Sequence, residues 1–337
     1  MRIAVLGVVL AVATIACNAI VGFGDLTKQP AAPDSGKSGD DDDTTDDDDD
    51  DTARDGGTSS SSSSGDGGSS SGVIPPACNP TADFGAPQQL PGPVNTSSFE
   101  NSPSLTDDEL TIVFQRSVGN KNTLMIATRA KVTDQFGEPT TLALTSSNFS
   151  YQPSISRDGL TLFWAEVQDT MDVFFATRAT VTGTFANPNP TGVANPSFGE
   201  FSPVVTGDGN ELFYTSDQNG VNKPRLYHAT RSGAEFGNPQ KLQELADGSD
   251  GDEEAITVSK DGLTIFFGST RSGGLGDLDI WTAHRASRSE KFTGITHVNN
   301  VSSSAIEWPS YVSADGCRLY FGSERDGNGN LWVASRP

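Results

Sequence analysis

The chain has 337 residues, of which 44 are acidic and 22 basic, so its formal net charge is −22, and 34% of the residues are hydrophobic. This balance argues against a nucleic-acid binder, which needs a basic surface, and against a bundle of membrane-spanning helices, which needs long apolar runs. Residues 31–77 hold 13 of the aspartates and half of the net charge, which leaves residues 78–337 moderately acidic and long enough for one large core.

The amino terminus has the pattern of an export signal. Met1 and Arg2 precede an apolar run over residues 3–15, which is too short to cross a bilayer as a mature helix but fits a secretory signal peptide. The run ends in Thr14-Ile15-Ala16-Cys17, which resembles the bacterial lipobox. The resemblance implies that residues 1–17 form the signal segment, that Cys17 is lipidated, and that the exported protein is anchored in the cell envelope. An ordinary signal peptide with an incidental cysteine is the alternative.

Residues 18–77 are predicted to be a disordered linker. From Ala31 to Gly72 the sequence is nearly all Asp, Ser, Gly and Thr, without the apolar residues whose burial would offset the entropy of ordering. A flexible chain of this length has an r.m.s. reach of about 40 Å, and repulsion between the aspartates extends it. A solvated spacer explains the aspartate runs better than a cation site, which needs a fixed coordination geometry.

Residues 78–337 repeat with a period of 50 to 54 residues. One repeated element is an Asp-Gly turn between apolar runs, a strong hairpin signal because glycine tolerates positive φ. The turns are Asp158-Gly159, Asp208-Gly209, Asp261-Gly262 and Asp315-Gly316, with Asp108-Glu109 as a degenerate first copy. A second element is a β-like run that ends in Ala-x-Arg, at Arg129, Arg178, Arg231, Arg285 and Arg336. A third is Phe-x-x-Pro, predicted as an edge strand because proline lacks an N–H, at Phe136, Phe185 and Phe236, with a looser copy at Phe292.

Four short strands in each unit of this length indicate a blade of a β-propeller. The repeat, for example Pro153 to Gly159, resembles the WD-like propeller repeat built around Pro-x-x-Ser-x-Asp-Gly, as found in the TolB-type propeller family. The five units predict a five-bladed propeller of four-stranded blades over residues 78–337, one blade fewer than the six of the TolB-type propeller. The resemblance implies an all-β propeller fold. It implies no particular function, because this fold serves many.

The ends of the domain predict how the ring closes. The fifth unit stops at Pro337 without a Phe-x-x-Pro strand, whereas Phe84-Gly85-Ala86-Pro87 stands alone before the first unit. We therefore expect the amino-terminal segment to supply the outer strand of the last blade. Chain direction then places Cys78 and Cys317 at the bottom rim of that blade, close enough for a disulfide.

Residues that recur in every unit, such as the Ala-x-Arg arginines, are assigned to the framework, and residues that occur once are candidates for function. In a propeller, the loops that lead into the innermost strands meet at the top of the channel. Here these loops are expected to bring together Glu100, Tyr151, Glu200, Phe201, Glu253, Glu254, Glu307 and Trp308. Carboxylates beside aromatic rings can hold a glycan, a basic peptide or a cation. The alternative is that the glutamates form ion pairs with Arg116, Arg271 and Arg325.

Metal and enzyme signals are weak. Residues 250–254 and 326–330 space oxygen ligands at alternate positions, but they lack the glycine and distal glutamate of an EF-hand loop. Asx turns are therefore favoured over calcium sites, and no cofactor is predicted. The sequence has no nucleophile elbow, phosphate loop or Cys/His metal spacing.

These features predict a non-catalytic, monomeric module in the cell envelope. We expect its membrane contact to be the lipid alone and its partner to be an envelope protein or glycan, not a nucleic acid. Two alternatives stay open: a glycan-active hydrolase that uses top-face carboxylates such as Glu100, Glu200, Glu254 and Glu307, and a purely structural envelope protein.

Overall fold

The structure is a computed structural model that describes residues 78–119, 121–142, 144, 150–218, 223–247 and 251–337. The predicted signal segment, the lipidation site at Cys17 and the linker lie outside these residues. Within the described residues, no helix is long and apolar enough to cross a membrane.

Twenty strands form five antiparallel sheets of four strands each, so the prediction of a five-bladed propeller is confirmed. Blade 1 consists of β2 (Phe99–Leu105), β3 (Thr111–Val118), β4 (Lys121–Thr128) and β5 (Thr140–Thr141). Blade 2 consists of β6 (Ser150–Ile155), β7 (Thr161–Val167), β8 (Met171–Thr177) and β9 (Ala186–Pro190). Blade 3 consists of β10 (Glu200–Val205), β11 (Glu211–Ser216), β12 (Arg225–Ser232) and β13 (Glu235–Lys241).

The ring continues through the last two blades. Blade 4 consists of β14 (Glu253–Val258), β15 (Thr264–Ser269), β16 (Asp279–His284) and β17 (Thr293–His297). Blade 5 consists of β18 (Glu307–Val312), β19 (Arg318–Ser323), β20 (Asn330–Ser335) and, from the other end of the domain, β1 (Gln88–Gln89).

The Asp-Gly turns join the first and second strands of each blade. In all five turns, the aspartate Oδ1 accepts a hydrogen bond from the backbone N–H two residues later, at 2.9 to 3.2 Å. The four glycines adopt φ between 70° and 77°, and Glu109 adopts φ 56° in the first copy. The Glu109 side chain explains its place there, because its carboxylate is buried and accepts bonds from Arg318 and Tyr320 of blade 5. The degenerate turn therefore joins the first and last blades.

The Ala-x-Arg arginines hold the outer edge of every blade. Each guanidinium stacks on the phenylalanine that begins the outer segment, with 4.1 to 4.7 Å between the guanidinium carbon and the ring centroid. Each also donates a hydrogen bond of 2.6 to 2.9 Å to a carbonyl of the Asp-Gly turn or, in blade 1, of Glu109. These contacts recur five times, so the assignment of the arginines to the framework agrees with the structure.

The amino-terminal segment completes blade 5, as predicted. Gln88 and Gln89 pair with β20, and the buried Phe84 lies under Arg336 in the same way as the other outer phenylalanines. Cys78 and Cys317 form a disulfide with 6.1 Å between their Cα atoms, so that pairing is confirmed. The clasp between the two ends of the domain is therefore both hydrogen-bonded and covalent.

The outer strands differ from the prediction in one detail. In blades 2 to 4 the strand includes the Phe-x-x-Pro region, where Asn187, Asn238 and Gly294 adopt φ between 52° and 67°. Ala86 and Glu138 hold the equivalent positions in blades 5 and 1, where the outer strands β1 and β5 begin only after the proline. Asparagine and glycine adopt left-handed φ far more readily than alanine or glutamate. Blades 2 to 4 can therefore form a bulge at this position and continue the outer strand through it, whereas β1 and β5 begin only after the proline.

The bottom of the channel is crossed by a buried arginine that the sequence did not identify. Arg157 lies just before the turn of blade 2 and donates to the carbonyls of Val258 in blade 4 and Val312 in blade 5, at 3.2 and 3.1 Å. It also pairs with Asp107 of blade 1 at 3.3 Å, and Lys260 pairs with the same carboxylate. The side chains just before the turns therefore fill the bottom of the channel.

Candidate functional site at the top of the channel

The pairing of the innermost strands shows which residues are equivalent at the mouth. Trp308 pairs with Gly322, and the same register position in the other blades is held by Asn101, Tyr151, Phe201 and Glu254. Alignment on the prolines instead places Ser102, Gln152 and Ser202 opposite Trp308, which is wrong by one residue in three blades. Each innermost strand carries a one-residue bulge. Relative to that bulge, Pro309 of β18 stands one residue earlier than the prolines of blades 1 to 3 do.

The five equivalent positions form a ring of residues around the mouth, and the residue just before each of them is a glutamate in four of the five blades. These carboxylates are only 0% to 1% exposed, and each accepts a backbone N–H of the incoming loop at 2.9 to 3.0 Å. Three of them also contact an arginine, namely Glu100 with Arg116 at 2.8 Å, Glu253 with Arg271 at 3.5 Å and Glu307 with Arg325 at 3.1 Å. The ion-pair alternative therefore describes these three. Ligand contact by Glu100, Glu200 and Glu307 stays a prediction, and their enclosure favours an anchoring role.

Glu200 is the exception among these anchors. It accepts hydrogen bonds from Asn195 N–H and Ser216 Oγ, both at 2.9 Å, but no ion pair joins it to a described arginine. Its pKa is raised to about 7, chiefly by burial; the two hydrogen bonds oppose the shift, and the carboxylates of Asp172 and Asp217 add to it. Glu200 is thus a buried acid without a counter-ion.

This predicts a pH-dependent effect of Glu200→Gln. The native state holds the proton up to pH 7 whereas the unfolded chain releases it near 4.5, so the stability that this group contributes falls as pH rises through that window. The amide mimics the protonated acid. We therefore expect the free energy of unfolding of the variant to exceed that of the parent by about 1–3 kcal/mol at pH 8 and by less than about 1 kcal/mol at pH 5. Urea unfolding at both pH values measures the difference, and an equal effect at both would contradict the prediction.

At the ring itself, three neighbouring blades present accessible side chains. Phe201, Glu254 and Trp308, from blades 3, 4 and 5, are each partly exposed. Asn101 and Tyr151 are buried: Asn101 accepts from the backbone N–H of Ser102, and the tyrosine hydrogen-bonds to a neighbouring side chain. The structure therefore brings together three of the predicted site residues and encloses Tyr151.

Glu254 and Trp308 are in direct contact. The indole N–H of Trp308 hydrogen-bonds to the Glu254 carboxylate, and the edge of Phe99 packs against the indole with 6.0 Å between ring centroids. The pKa of Glu254 is raised to about 7, chiefly by burial and also by the nearby Asp252 carboxylate, while the indole hydrogen bond opposes the shift. No ion pair connects Glu254 to any described residue. Glu254 therefore contacts an aromatic side chain, and no described residue neutralises its carboxylate.

That the protein holds no metal ion stays a prediction. Among the described residues, no group of three or more His, Cys, Asp or Glu side chains is arranged to hold a metal. In the 326–330 loop, Asp326 accepts hydrogen bonds from Asn330 Nδ2 at 2.7 Å and from the backbone N–H of Asn328 at 3.4 Å, which is an Asx turn. Asp250 of the other loop lies outside the described residues.

No protein-family model matches this sequence, and no curated protein matches it. Among solved structures, the chain is similar to the α-L-arabinofuranosidase PaAbf62A from Podospora anserina, with 12% identity, a TM-score of 0.53, and 77% of this chain and 98% of that one covered. The catalytic domain of the Coprinopsis cinerea GH62 α-L-arabinofuranosidase gives 13% identity and a TM-score of 0.52, with 76% and 98% covered. A putative TolB from Agrobacterium tumefaciens gives 16% identity and a TM-score of 0.46, with 68% and 71% covered. The chain is a β-propeller, and at these identities the similarity concerns the fold alone.

Proposed function

We propose that this protein is a non-catalytic binding module of the cell envelope that recognises a protein or glycan partner at the mouth of its channel. The observation that carries the proposal is the group formed by Phe201, Glu254 and Trp308. These side chains break the fivefold repetition, remain accessible, and combine aromatic surface with a charge that no described residue balances. The deeply buried glutamates around them serve the scaffold.

The path of the chain supports a tethered role. Cys78 is bonded to Cys317, which follows the turn of blade 5, so Cys78 lies at the end of the propeller that carries the turns. Arg157 fills the channel at that same end. Cys78 therefore lies at the opposite end of the propeller from the mouth, so a tether attached there would leave the mouth free for a partner.

Crosslinking of the full-length protein in its native envelope tests the binding role. We expect Trp308→Ala to reduce capture of the partner at least about tenfold, because accessible aromatic residues dominate binding energy at interfaces. Val181→Ala is the matched control, since Val181 is 57% exposed beside the turn of blade 2, at the opposite end. Unchanged capture by Trp308→Ala, with an unchanged melting temperature, would contradict the proposal.

A glycan-active hydrolase is the second candidate, favoured by the raised pKa of Glu254. An acid with a pKa of about 7 can donate a proton at neutral pH, and Asp252 is the carboxylate beside it. Hydrolysis needs a second free carboxylate about 5–5.5 or 6.5–9.5 Å away. Release of reducing sugar from cello- or arabino-oligosaccharides, abolished by Glu254→Gln, would establish this candidate over the first.

A further inference from the structure

We propose, on the basis of the binding role above, that the mouth receives a cationic side chain of a partner peptide, a lysine ammonium or an arginine guanidinium. The cation would lie between Phe201 and Trp308 and pair with the carboxylate of Glu254. The propeller would thus recognise a basic residue inserted into the top of its channel.

The order of residues around the ring creates this site. Phe201, Glu254 and Trp308 stand at the same register position of β10, β14 and β18, which are the innermost strands of three successive blades. Each of the two blades beside blade 4 therefore presents an aromatic residue at the position equivalent to Glu254. The hydrogen bond from the Trp308 indole holds the Glu254 carboxylate at the ring. A cation above an aromatic face gains from the ring quadrupole, most strongly for tryptophan.

The arginines of the top face are already engaged elsewhere. Three of them, Arg116, Arg271 and Arg325, contact the buried glutamates one position before the ring. At the bottom, Arg157 and Lys260 share Asp107. Glu254 is left without a positive partner among the described residues, and a basic ligand side chain supplies the missing charge.

A peptide fits the surroundings better than a glycan does. Sugar recognition needs several free hydrogen-bonding groups, but Asn101 and Tyr151, the polar residues at the other ring positions, are buried and already bonded. The rim instead offers apolar contacts, because Val118 and Leu275 are each more than half exposed. They lie at the β3–β4 and β15–β16 connections, on the same side as the mouth. These exposed apolar side chains are on the face from which a peptide would approach the mouth.

The electrostatics of Glu254 give the proposal a distinct pH dependence. Its charged neighbour is Asp252, whose own pKa is raised by burial and lowered by Arg225 and Lys223, while β18 contributes the neutral indole of Trp308. A lysine side chain stays protonated between pH 6 and 8, but a carboxyl with a pKa of about 7 is mostly neutral at pH 6 and mostly ionised at pH 8. Affinity for the cation should therefore be about tenfold higher at pH 8.

The test uses the full-length ¹⁵N-labelled protein and two acetylated, amidated tripeptides, Gly-Lys-Gly and the same peptide with Nε-acetyl-lysine. NMR titration follows the indole N–H of Trp308, which is bonded to Glu254. We expect saturable shifts with the lysine peptide, none with the neutral peptide, and about tenfold weaker binding to Glu254→Gln. Glu138→Gln is the matched control, because it removes the same charge from an exposed position near β5. It should bind as the parent does.

The possible outcomes separate the ligand class from the function. Equal binding of the two peptides, or an equal loss in Glu254→Gln and Glu138→Gln, would overturn the cationic site. Binding of a cello- or chito-oligosaccharide that depends on Trp308, without binding of the lysine peptide, would also overturn it but would leave the mouth as the binding site. If Trp308→Ala changed neither peptide binding, sugar binding nor capture in the envelope, the proposed function itself would fail.

Discussion

Replacing Cys78 and Cys317 with serine is expected to lower the free energy of unfolding by about 4–5 kcal/mol. The disulfide joins residues 239 positions apart, so it removes much of the loop-closure entropy of the unfolded chain. It also secures a short contact, because β1 contributes only Gln88 and Gln89 to its pairing with β20. Without the bond, the amino-terminal segment is still held by this pairing, by hydrogen bonds such as those of the Gly85 and Leu90 N–H groups with blade 5, and by the stacking of Phe84 under Arg336.

Urea unfolding of the oxidised parent, the two single variants and the double variant measures this effect. The crosslink acts as one unit, so each single variant should lose about as much as the double variant. Hydrogen exchange at Gln88 to Leu90 should also become faster, because the edge pairing then opens without global unfolding. A loss below about 1 kcal/mol would show that β1 and Phe84 close the ring without the disulfide.

Glu307→Gln is expected to destabilise the propeller by about 3–5 kcal/mol, because it breaks a buried ion pair. The Glu307 carboxylate is fully buried and accepts hydrogen bonds from the Ser303 N–H at 3.0 Å and from Ser323 Oγ and Arg325 Nη2, both at 3.1 Å. The amide would deprive the guanidinium of Arg325, which burial already disfavours, of its buried ion-pair partner and leave only the weaker influence of Asp326. It would also weaken the anchor of the loop that leads into β18.

Glu200→Gln is the matched comparison, because Glu200 holds the same position in blade 3. Both residues are buried and both anchor the incoming loop, but only Glu307 has an arginine partner. The same chemical change should therefore destabilise at position 307 and stabilise at position 200 when both variants are unfolded at pH 8. If both substitutions lowered, or both raised, the free energy of unfolding, the arginine partner would not be what determines their effect on stability.

The mouth and the framework differ in how they use charge. Most buried carboxylates of the framework are balanced within the protein, as Glu109 is by Arg318 and Glu100 by Arg116, and Glu200 is the exception. Glu254 is not balanced in this way, and burial holds its pKa near 7. Groups with perturbed pKa values are concentrated at functional sites, and Glu254 combines such a pKa with partial exposure, which is why it is central to both functional candidates.

Some features could be predicted from the sequence alone. The repeated Asp-Gly turns, Ala-x-Arg runs and Phe-x-x-Pro segments predicted the five four-stranded blades, and the unmatched Phe84 segment predicted how the ring closes. Chain direction then predicted the Cys78–Cys317 disulfide. These inferences succeeded because they depend on local hairpin geometry and on the count and direction of strands, which the order of residues specifies directly.

Other features were decided only by the tertiary structure. The register of each innermost strand decides whether a glutamate is enclosed, as Glu253 is, or stands at the mouth, as Glu254 does. The position of Pro309 relative to its bulge concealed which residues of blades 1 to 3 are equivalent to Trp308. The contact of Glu254 with Trp308, and that of Arg157 with blades 4 and 5, joins residues more than fifty positions apart. The physical reason is that a one-residue shift turns a side chain to the other face of its strand, and only the closed ring brings side chains of different blades together.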